Sequence, residues 1–270
     1  MDVNAQTTAP AAVEANVTQH SGSPGGAALR FDAVDLTYPG RRKGDAGVEA
    51  LRGVDLSIAS GERVAVVGPS GCGKSSLLAL AAGLIEPNSG AVATSQEVAL
   101  MPQRDLLVPW RSALRNAALA LEAQGVPRAE ATERAKPLFE RFGLASFENA
   151  RTWELSGGMR QRVAFLRTIL MGRQLLALDE PFGALDAITR GQMQEWLLDA
   201  LAGDPRTLLL VTHDIEEALT LCDRVVLMTG RPGSIKREIA VDRPRELARN
   251  DWITSLKFAD LKSRALEVLS

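Results

Sequence analysis

The sequence predicts an α/β fold built on a parallel sheet, with an N-terminal antiparallel β subdomain and an inserted α-helical subdomain. The apolar runs Leu175–Leu178 and Leu208–Thr212 are continuous rather than alternating, as in parallel strands buried on both faces. Strand-like and helix-like segments alternate along the chain, which argues for α/β units. Between Gln103 and Ser156 the pattern turns helical, so a helical unit interrupts the sheet.

A chain of 270 residues with 46% apolar residues can bury a sizeable core, as one large domain or two small ones. Lys plus Arg number 31 against 33 for Asp plus Glu, so the overall field offers no general attraction for nucleic acid or anionic lipid. Two cysteines, Cys72 and Cys222, exclude a dense disulfide framework and suit a reducing compartment. No run of about 18 apolar residues occurs, and no basic-then-apolar segment begins the chain, so neither a membrane span nor a secretory signal is expected.

Taken in order, residues 1–28 are rich in Ala, Thr, Ser, Gly and Pro and read as a disordered tail. Extended segments follow at Leu29–Tyr38 and Val48–Ile58, separated by a polar loop over residues 41–45 that reads as solvated. Arg63–Val67 is a short apolar strand feeding a glycine-rich turn, and Lys74–Leu84 is a helix. Further strands are expected at Val98–Met101 and Arg224–Met228, and helices at Arg111–Ala123, Arg128–Phe142 and Met159–Met171. A terminal helix at Trp252–Leu269 carries a stripe of Ile253, Leu256, Leu261, Ala265 and Leu269. The expected division is a main domain over 29–240, interrupted by a helical subdomain at about 104–170, and a helical extension over 241–270.

Gly68-Pro69-Ser70-Gly71-Cys72-Gly73-Lys74-Ser75 fits the phosphate-binding loop pattern and lies between a strand and a helix, the context that pattern requires. Glycines let successive backbone N–H groups converge on phosphate oxygens, and the helix start adds partial positive charge. Lys74 is placed to reach the β- and γ-phosphates and the Ser75 hydroxyl to ligate Mg²⁺. A chance match in a chain of this length is on the order of one per cent.

About a hundred residues on, the apolar strand Leu175–Leu178 delivers Asp179 and Glu180 at its C-terminal end, where ligands bind in such sheets. Alone, that pattern is often no more than a strand entering a turn. With the phosphate loop, Asp179 fits as a Mg²⁺ partner and Glu180 as the group that takes a proton from, or orients, the attacking water. Such a site still leaves one side of the γ-phosphate open to solvent. Leu155-Ser156-Gly157-Gly158-Met159-Arg160-Gln161-Arg162 offers a second anion-binding helix start to close it.

The serine-glycine-glycine signature just upstream of the Asp179-Glu180 strand resembles the ABC ATPase family. The resemblance spans roughly residues 29–233 and implies a P-loop NTPase (RecA-like) core. It implies that two chains pair head to tail, the signature of one completing the phosphate site of the other. Implied cofactors are ATP and Mg²⁺. Tyr38, Gly68, Pro69, Ser70, Gly71, Cys72, Gly73, Lys74, Ser75 and Ser76 would contact the nucleotide, Tyr38 by stacking on adenine. Ser156, Gly157 and Gly158 would do so from the partner chain. Gln103 would sense Mg²⁺ and the attacking water, His213 would contact the γ-phosphate as a switch, and Asp186 would bridge the dimer interface. Taken singly, Gln103 would be a loop polar group and His213 a satisfied structural histidine. Met159 departs from the glutamine many members carry, at a position that matters less for phosphate contact than Ser156 and the two glycine amides.

The apolar loop Leu106-Leu107-Val108-Pro109-Trp110 reads as a partner surface, since exposed large apolar groups usually mark one, or as a cap on the helical subdomain. With Asp179–Asp186 and Gly230-Arg231-Pro232-Gly233, it resembles the nitrate, sulfonate and taurine importer ATPases, whose relatives include pyrimidine-precursor importers. That implies integral membrane permease subunits as partners, a solute-binding protein reached indirectly, no nucleic acid, and a peripheral place on the cytoplasmic face of the membrane. The rival reading is a soluble ABC ATPase acting on ribosomes or DNA. Members of that kind carry two ATPase domains or a long coiled-coil insertion, and the single phosphate loop and short helical insert here fit neither.

Overall fold

The computed structural model describes residues 26–40, 45–203, 206–244 and 247–269. The expected tail lies outside the described residues up to position 25, as do residues 41–44 of the polar loop.

β1 (Ala27–Tyr38), β2 (Val48–Ala59) and β4 (Ser89–Thr94) form an antiparallel sheet in the order β2-β1-β4. Leu29, Phe31, Val34 and Leu36 turn inward along β1, and bulges after Phe31 keep them there by absorbing the residues that break strict alternation. Asp35 ties the three strands, accepting from the Gly53 amide and the Ser89 hydroxyl, each at 2.6 Å. The Ser89 bond first, then the Gly53 bond, hold its carboxyl below the usual range. β4 was not legible beforehand: SGAVAT carries no apolar alternation and lies almost wholly exposed.

The second sheet contains β3 (Arg63–Val67), β5 (Val98–Met101), β6 (Leu175–Asp179), β7 (Thr207–Thr212), β8 (Arg224–Met228) and β9 (Ile235–Ala240), in the order β5-β6-β7-β3-β8-β9. The first five are parallel and β9 runs antiparallel on β8. Every residue of β3, β6 and β7 is buried, which accounts for their continuous apolar runs. Alternate residues serve two cores: Val64 and Val66 face the antiparallel sheet and α1 (Lys74–Ala81), while Ala65 and Val67 face the other helices. The molecule is therefore layered, with the parallel sheet in the middle.

α1 ends at Ala81, three residues before the expected Leu84, where Gly83 takes a φ of 66° that suits a helix end. The helical insert holds α2 (Ala113–Ala123), α3 (Arg128–Arg141) and α4 (Gly157–Leu170). Ser112 caps α2 and Ser156 caps α4, each side chain accepting an amide from three residues on. The fully buried Asn116 pins the preceding loop to α2, accepting from the Val108 amide at 2.7 Å and donating to the Val108 carbonyl at 3.1 Å.

α5 (Ala187–Gly203) and α6 (Ile215–Leu221) follow β6 and β7 and were not anticipated. The expected single terminal helix is two, α7 (Arg249–Ile253) and α8 (Leu256–Leu269). Ser255 breaks it, its hydroxyl donating to the Trp252 carbonyl at 2.7 Å and accepting from the Phe258 amide at 3.1 Å. The buried face is Phe258, Leu261 and Ala265, whereas Leu256, expected on that stripe, is 90% exposed. Trp252 is fully buried, donates its indole N–H to the Leu219 carbonyl at 2.8 Å, and meets Phe258 edge-on at 5.8 Å. Full burial of one such side chain is worth roughly 1.5–3 kcal/mol, so the pair fastens the terminal helices to α6. Among the described residues no helix is long and apolar enough to cross a membrane.

Candidate active site

Five neighbouring parallel strands bring chemistry to one edge of the sheet. Reading across from β5, their C-terminal ends lead to Gln103, to Asp179 and Glu180, to His213, to the phosphate loop after β3, and to the turn after β8. Pairing aligns Met101 with Leu178, Asp179 with Val211 and Thr212 with Val67, so these ends lie level. This is where an open α/β sheet binds ligands.

The phosphate loop is shaped by its glycines. Gly73 adopts a φ of 99°, and a side chain there would meet the Ala50 carbonyl at 2.6 Å, so only glycine fits without displacement. Lys74 is buried, and its Nζ donates to the Gly68 and Pro69 carbonyls at 2.7 and 3.0 Å, closing the loop on itself. Around it lies a cleft of about 260 Å³, lined by Tyr38, Ser70, Gly71, Gly73, Lys74, Ser75, Ser76, Gln103, Asp179 and Glu180, with Val48, Ala50 and Arg231. Tyr38 stands at its rim, 41% exposed, its hydroxyl donating to Ser76 Oγ at 3.0 Å. Gly68, Pro69 and Cys72 form the loop's frame rather than the cleft wall, Cys72 fully buried with its amide on the Pro69 carbonyl at 3.3 Å.

Asp179 is buried beside the loop. Burial first pushes its carboxyl up, a Ser75 hydrogen bond opposes this, the neighbouring Glu180 raises it further, and Lys74 lowers it. A buried carboxylate next to a second carboxylate calls for a cation. The Ser75 hydroxyl, the Asp179 carboxylate and the Gln103 amide form an oxygen set suited to Mg²⁺. Among the described residues no cluster of three or more Asp, Glu, His or Cys could hold a metal alone. Ser75, Asp179 and Gln103 would hold a Mg²⁺ only in part, as suits an ion that commonly takes one or two protein carboxylates and fills its remaining positions from substrate and water.

Glu180 is the hub. Gln103 Nε2 lies 3.1 Å from its Oε2, and His213 Nδ1 lies 3.1 Å from its Oε1. Its backbone takes a φ of 47°, unusual outside glycine, which costs of order 1–3 kcal/mol and turns the side chain back toward the cleft. Three bonds hold that backbone: its amide donates to the Val211 carbonyl at 2.8 Å, and its carbonyl accepts from Gln161 Nε2 at 2.8 Å and from the Gly183 amide at 3.2 Å. Gln161 Oε1 in turn accepts the Ala184 amide at 3.1 Å, so one buried amide on α4 ties the turn at Glu180 to the loop before Asp186. Gln161 stands within the signature, and no residue pattern there marks the carbonyl and amide that it joins.

Ser156, Gly157 and Gly158 stand apart from this cleft and line none of it. Ser156 and Gly157 are exposed, and a side chain on Gly158 would press Leu185 at 3.2 Å, so the signature packs against the loop leading to Asp186. Asp186 caps α5, accepting from the Ile188 and Thr189 amides at 3.1 and 3.0 Å and from the Thr189 hydroxyl at 2.7 Å. The Thr189 bonds above all hold its carboxyl below the usual range. Of the apolar loop 106–110, Leu107 packs against the core, whereas Trp110 is 77% exposed and Leu106 60%.

Residues 51–183 match the model of the ABC transporter family. The chain is 39% identical to the taurine import ATP-binding protein TauB of Pseudomonas savastanoi pv. phaseolicola, covering 86% of this chain and 90% of that protein. The chain belongs to the ABC transporter family. It is 41% identical to the nitrate import ATP-binding protein NrtD of Synechococcus elongatus, covering 89% of this chain and 91% of NrtD. Among solved structures it resembles the dimeric ATP-binding cassette MJ0796 in a post-hydrolysis state with ADP and phosphate, with TM-score 0.73 and 28% identity over 80% of this chain and all of that one. The fold is thus that of the family's P-loop NTPase cassettes, and the chain is an ABC ATPase.

Proposed function

We propose that this ABC ATPase powers import of a small solute of the nitrate, sulfonate, taurine or pyrimidine-precursor class through separate membrane permease subunits, from the cytoplasmic face. A solute-binding protein would supply cargo to the permease without touching this chain. MgATP would bind between two chains arranged head to tail. Lys74 and the loop amides would hold the phosphates, Tyr38 the adenine, and Ser75, Asp179 and Gln103 the Mg²⁺. Glu180, flanked by Gln103 and His213, would receive a proton from the attacking water.

The observation that carries the shared site is spatial. The phosphate loop, Asp179, Glu180 and His213 meet at one sheet edge, while Ser156–Gly158 lie outside the cleft on the same chain. A second chain supplies what the first leaves open, and MJ0796 has been solved as a dimer. Relatives named for taurine and nitrate import, and the exposed Trp110, support the membrane partner.

Mixing two inactive variants tests the arrangement. A Lys74→Ala chain keeps its signature and a Ser156→Arg chain keeps its phosphate loop, so a head-to-tail pair restores one intact site. ATP hydrolysis by the mixture should exceed the sum of the two alone; no gain would count against a shared site. Purification from the native membrane should recover permease subunits, and recovery of ribosomes or DNA instead would favour the soluble alternative.

A further inference from the structure

The turn after β8, so far used only for the resemblance carried by Gly230–Gly233, contributes to the nucleotide cleft a side chain to which the proposed function gives no role. Thr229 and Ser234 close this turn, the Thr229 amide donating to the Ser234 carbonyl and the Ser234 amide to the Thr229 hydroxyl, each at 3.0 Å. Gly233 anchors it to β2, donating to the Ala50 carbonyl and accepting from the Arg52 amide, both at 2.9 Å. A side chain on Gly233 would fall 1.9 Å from the Cys72 carbonyl, so the turn is pressed directly onto the phosphate loop.

Arg231 projects from it. Its Nε donates to the Gly71 carbonyl at 3.0 Å, and Gly71, with a φ of 78°, leaves room for the guanidinium: a side chain there would lie 3.1 Å from Nη2. Arg231 is exposed and lines the same cleft as Lys74, Asp179 and Glu180. Guanidinium carries five N–H donors, and among the described residues this bond to Gly71 is the one hydrogen bond it makes. Lys74, the other cation of the cleft, is already committed to two loop carbonyls. The cleft therefore holds two carboxylates and a second, partly uncommitted positive charge fixed in position by its own backbone anchor.

We propose that Arg231 is a nucleotide-binding residue, anchored through Nε on Gly71 and presenting its remaining N–H groups to the polyphosphate. The proposal rests on the reading of this cleft as the ATP site. Anchoring reduces the side-chain entropy lost on binding, and planar guanidinium suits phosphate oxygens. The contact would also brace the Gly71 peptide against the load of a bound triphosphate.

Charge and bracing are separable by substitution. Arg231→Gln keeps a donor for Gly71 and loses the charge; Arg231→Lys keeps the charge and loses the fork. MgATP affinity would be measured by calorimetry on the full chain at several salt concentrations, with thermal stability recorded for each variant. The expected result is about tenfold weaker binding for Arg231→Gln, with a shallower salt dependence because one screened attraction is gone, and substantial recovery in Arg231→Lys. Equal losses in both variants, or an unchanged salt dependence, would overturn the proposal in favour of a purely structural turn. Lys74→Ala serves as reference: if it binds MgATP normally, the reading of the cleft fails, whereas loss there with an insensitive Arg231 defeats this inference alone.

Discussion

His213 Nδ1 and Glu180 Oε1 stand 3.1 Å apart across the ends of two paired strands, β7 and β6. Neither residue reaches the other by loop flexibility. The Glu180 side chain is aimed by a left-handed backbone that Val211 and Gln161 clamp, and His213 follows directly on a wholly buried strand. A carboxylate held between an imidazole and the Gln103 amide is fixed in place, as the proposed general-base role requires.

Glu180→Gln should therefore retain MgATP binding while losing about 10²–10⁴-fold in hydrolysis, the usual range for a removed general base. Light scattering should show the variant accumulating as an ATP-bound dimer. Hydrolysis at the original rate would remove Glu180 from the mechanism.

Gln161→Leu takes one of its two donors from the Glu180 carbonyl, which keeps the Gly183 amide, and removes the acceptor of the Ala184 amide. A lost hydrogen bond of this kind is worth about 0.5–1.5 kcal/mol, so the urea midpoint should fall measurably. Hydrolysis should fall further than ATP binding, since the clamp acts on Glu180 and not on the phosphate loop. A variant with reduced stability and unchanged turnover would make Gln161 a packing residue only.

Glu217 gives the fold a pH dependence. It is buried on α6, where desolvation pushes its carboxyl from 4.5 to about 7; the Thr212 hydroxyl bond opposes the shift, Asp214 adds to it, and Arg190 and His213 oppose it. The native state thus keeps this proton to higher pH than the unfolded chain, and stability falls as pH rises through that window. At about 1.4 kcal/mol per pKa unit, wild type should lose roughly 3 kcal/mol relative to Glu217→Gln between pH 4.5 and 7.5. Urea unfolding at the two pH values checks this; parallel pH profiles would show that Glu217 ionises normally.

Trp110→Ala removes a side chain that is 77% exposed. Folding stability should stay within about 0.5 kcal/mol of wild type, and MgATP binding by the isolated chain should not change. Transport by the reconstituted complex should drop if Trp110 meets a membrane subunit. Undiminished transport would assign the docking surface elsewhere.

The strands that carry chemistry were legible because burial on both faces leaves a mark in composition: VAVV, LLAL and LLLVT are too apolar for anything else. The phosphate loop and acidic pair were legible because their chemistry constrains residue type at fixed spacing. β4 and β9 left no such mark, being edge strands largely exposed to solvent, and α6 is too short for periodicity to show. Leu256 was misplaced because a helical stripe drawn through Trp252–Leu269 ignores the Ser255 break, which resets the rotation of everything after it. Gln161 and Arg231 escaped assignment for a different reason. Each acts through backbone carbonyls of distant segments, and no sequence pattern records which carbonyl a side chain will find.

The level strand ends of the central sheet also divide the molecule by tolerance to change. A half-residue slip in β6 or β7 would move Glu180 or His213 by more than a hydrogen bond can stretch, so reacting groups are gauged against one another by the pleat itself. The loop and helices from Gln103 to Ser156 hang from that gauge at one side, steadied by Asn116 and the bonds of Arg167 to the carbonyls of Asp105 and Leu106. Under the proposed function, a change of membrane partner could rewrite the residues between Gln103 and Ser156 while the level strand ends keep the site groups at their spacing.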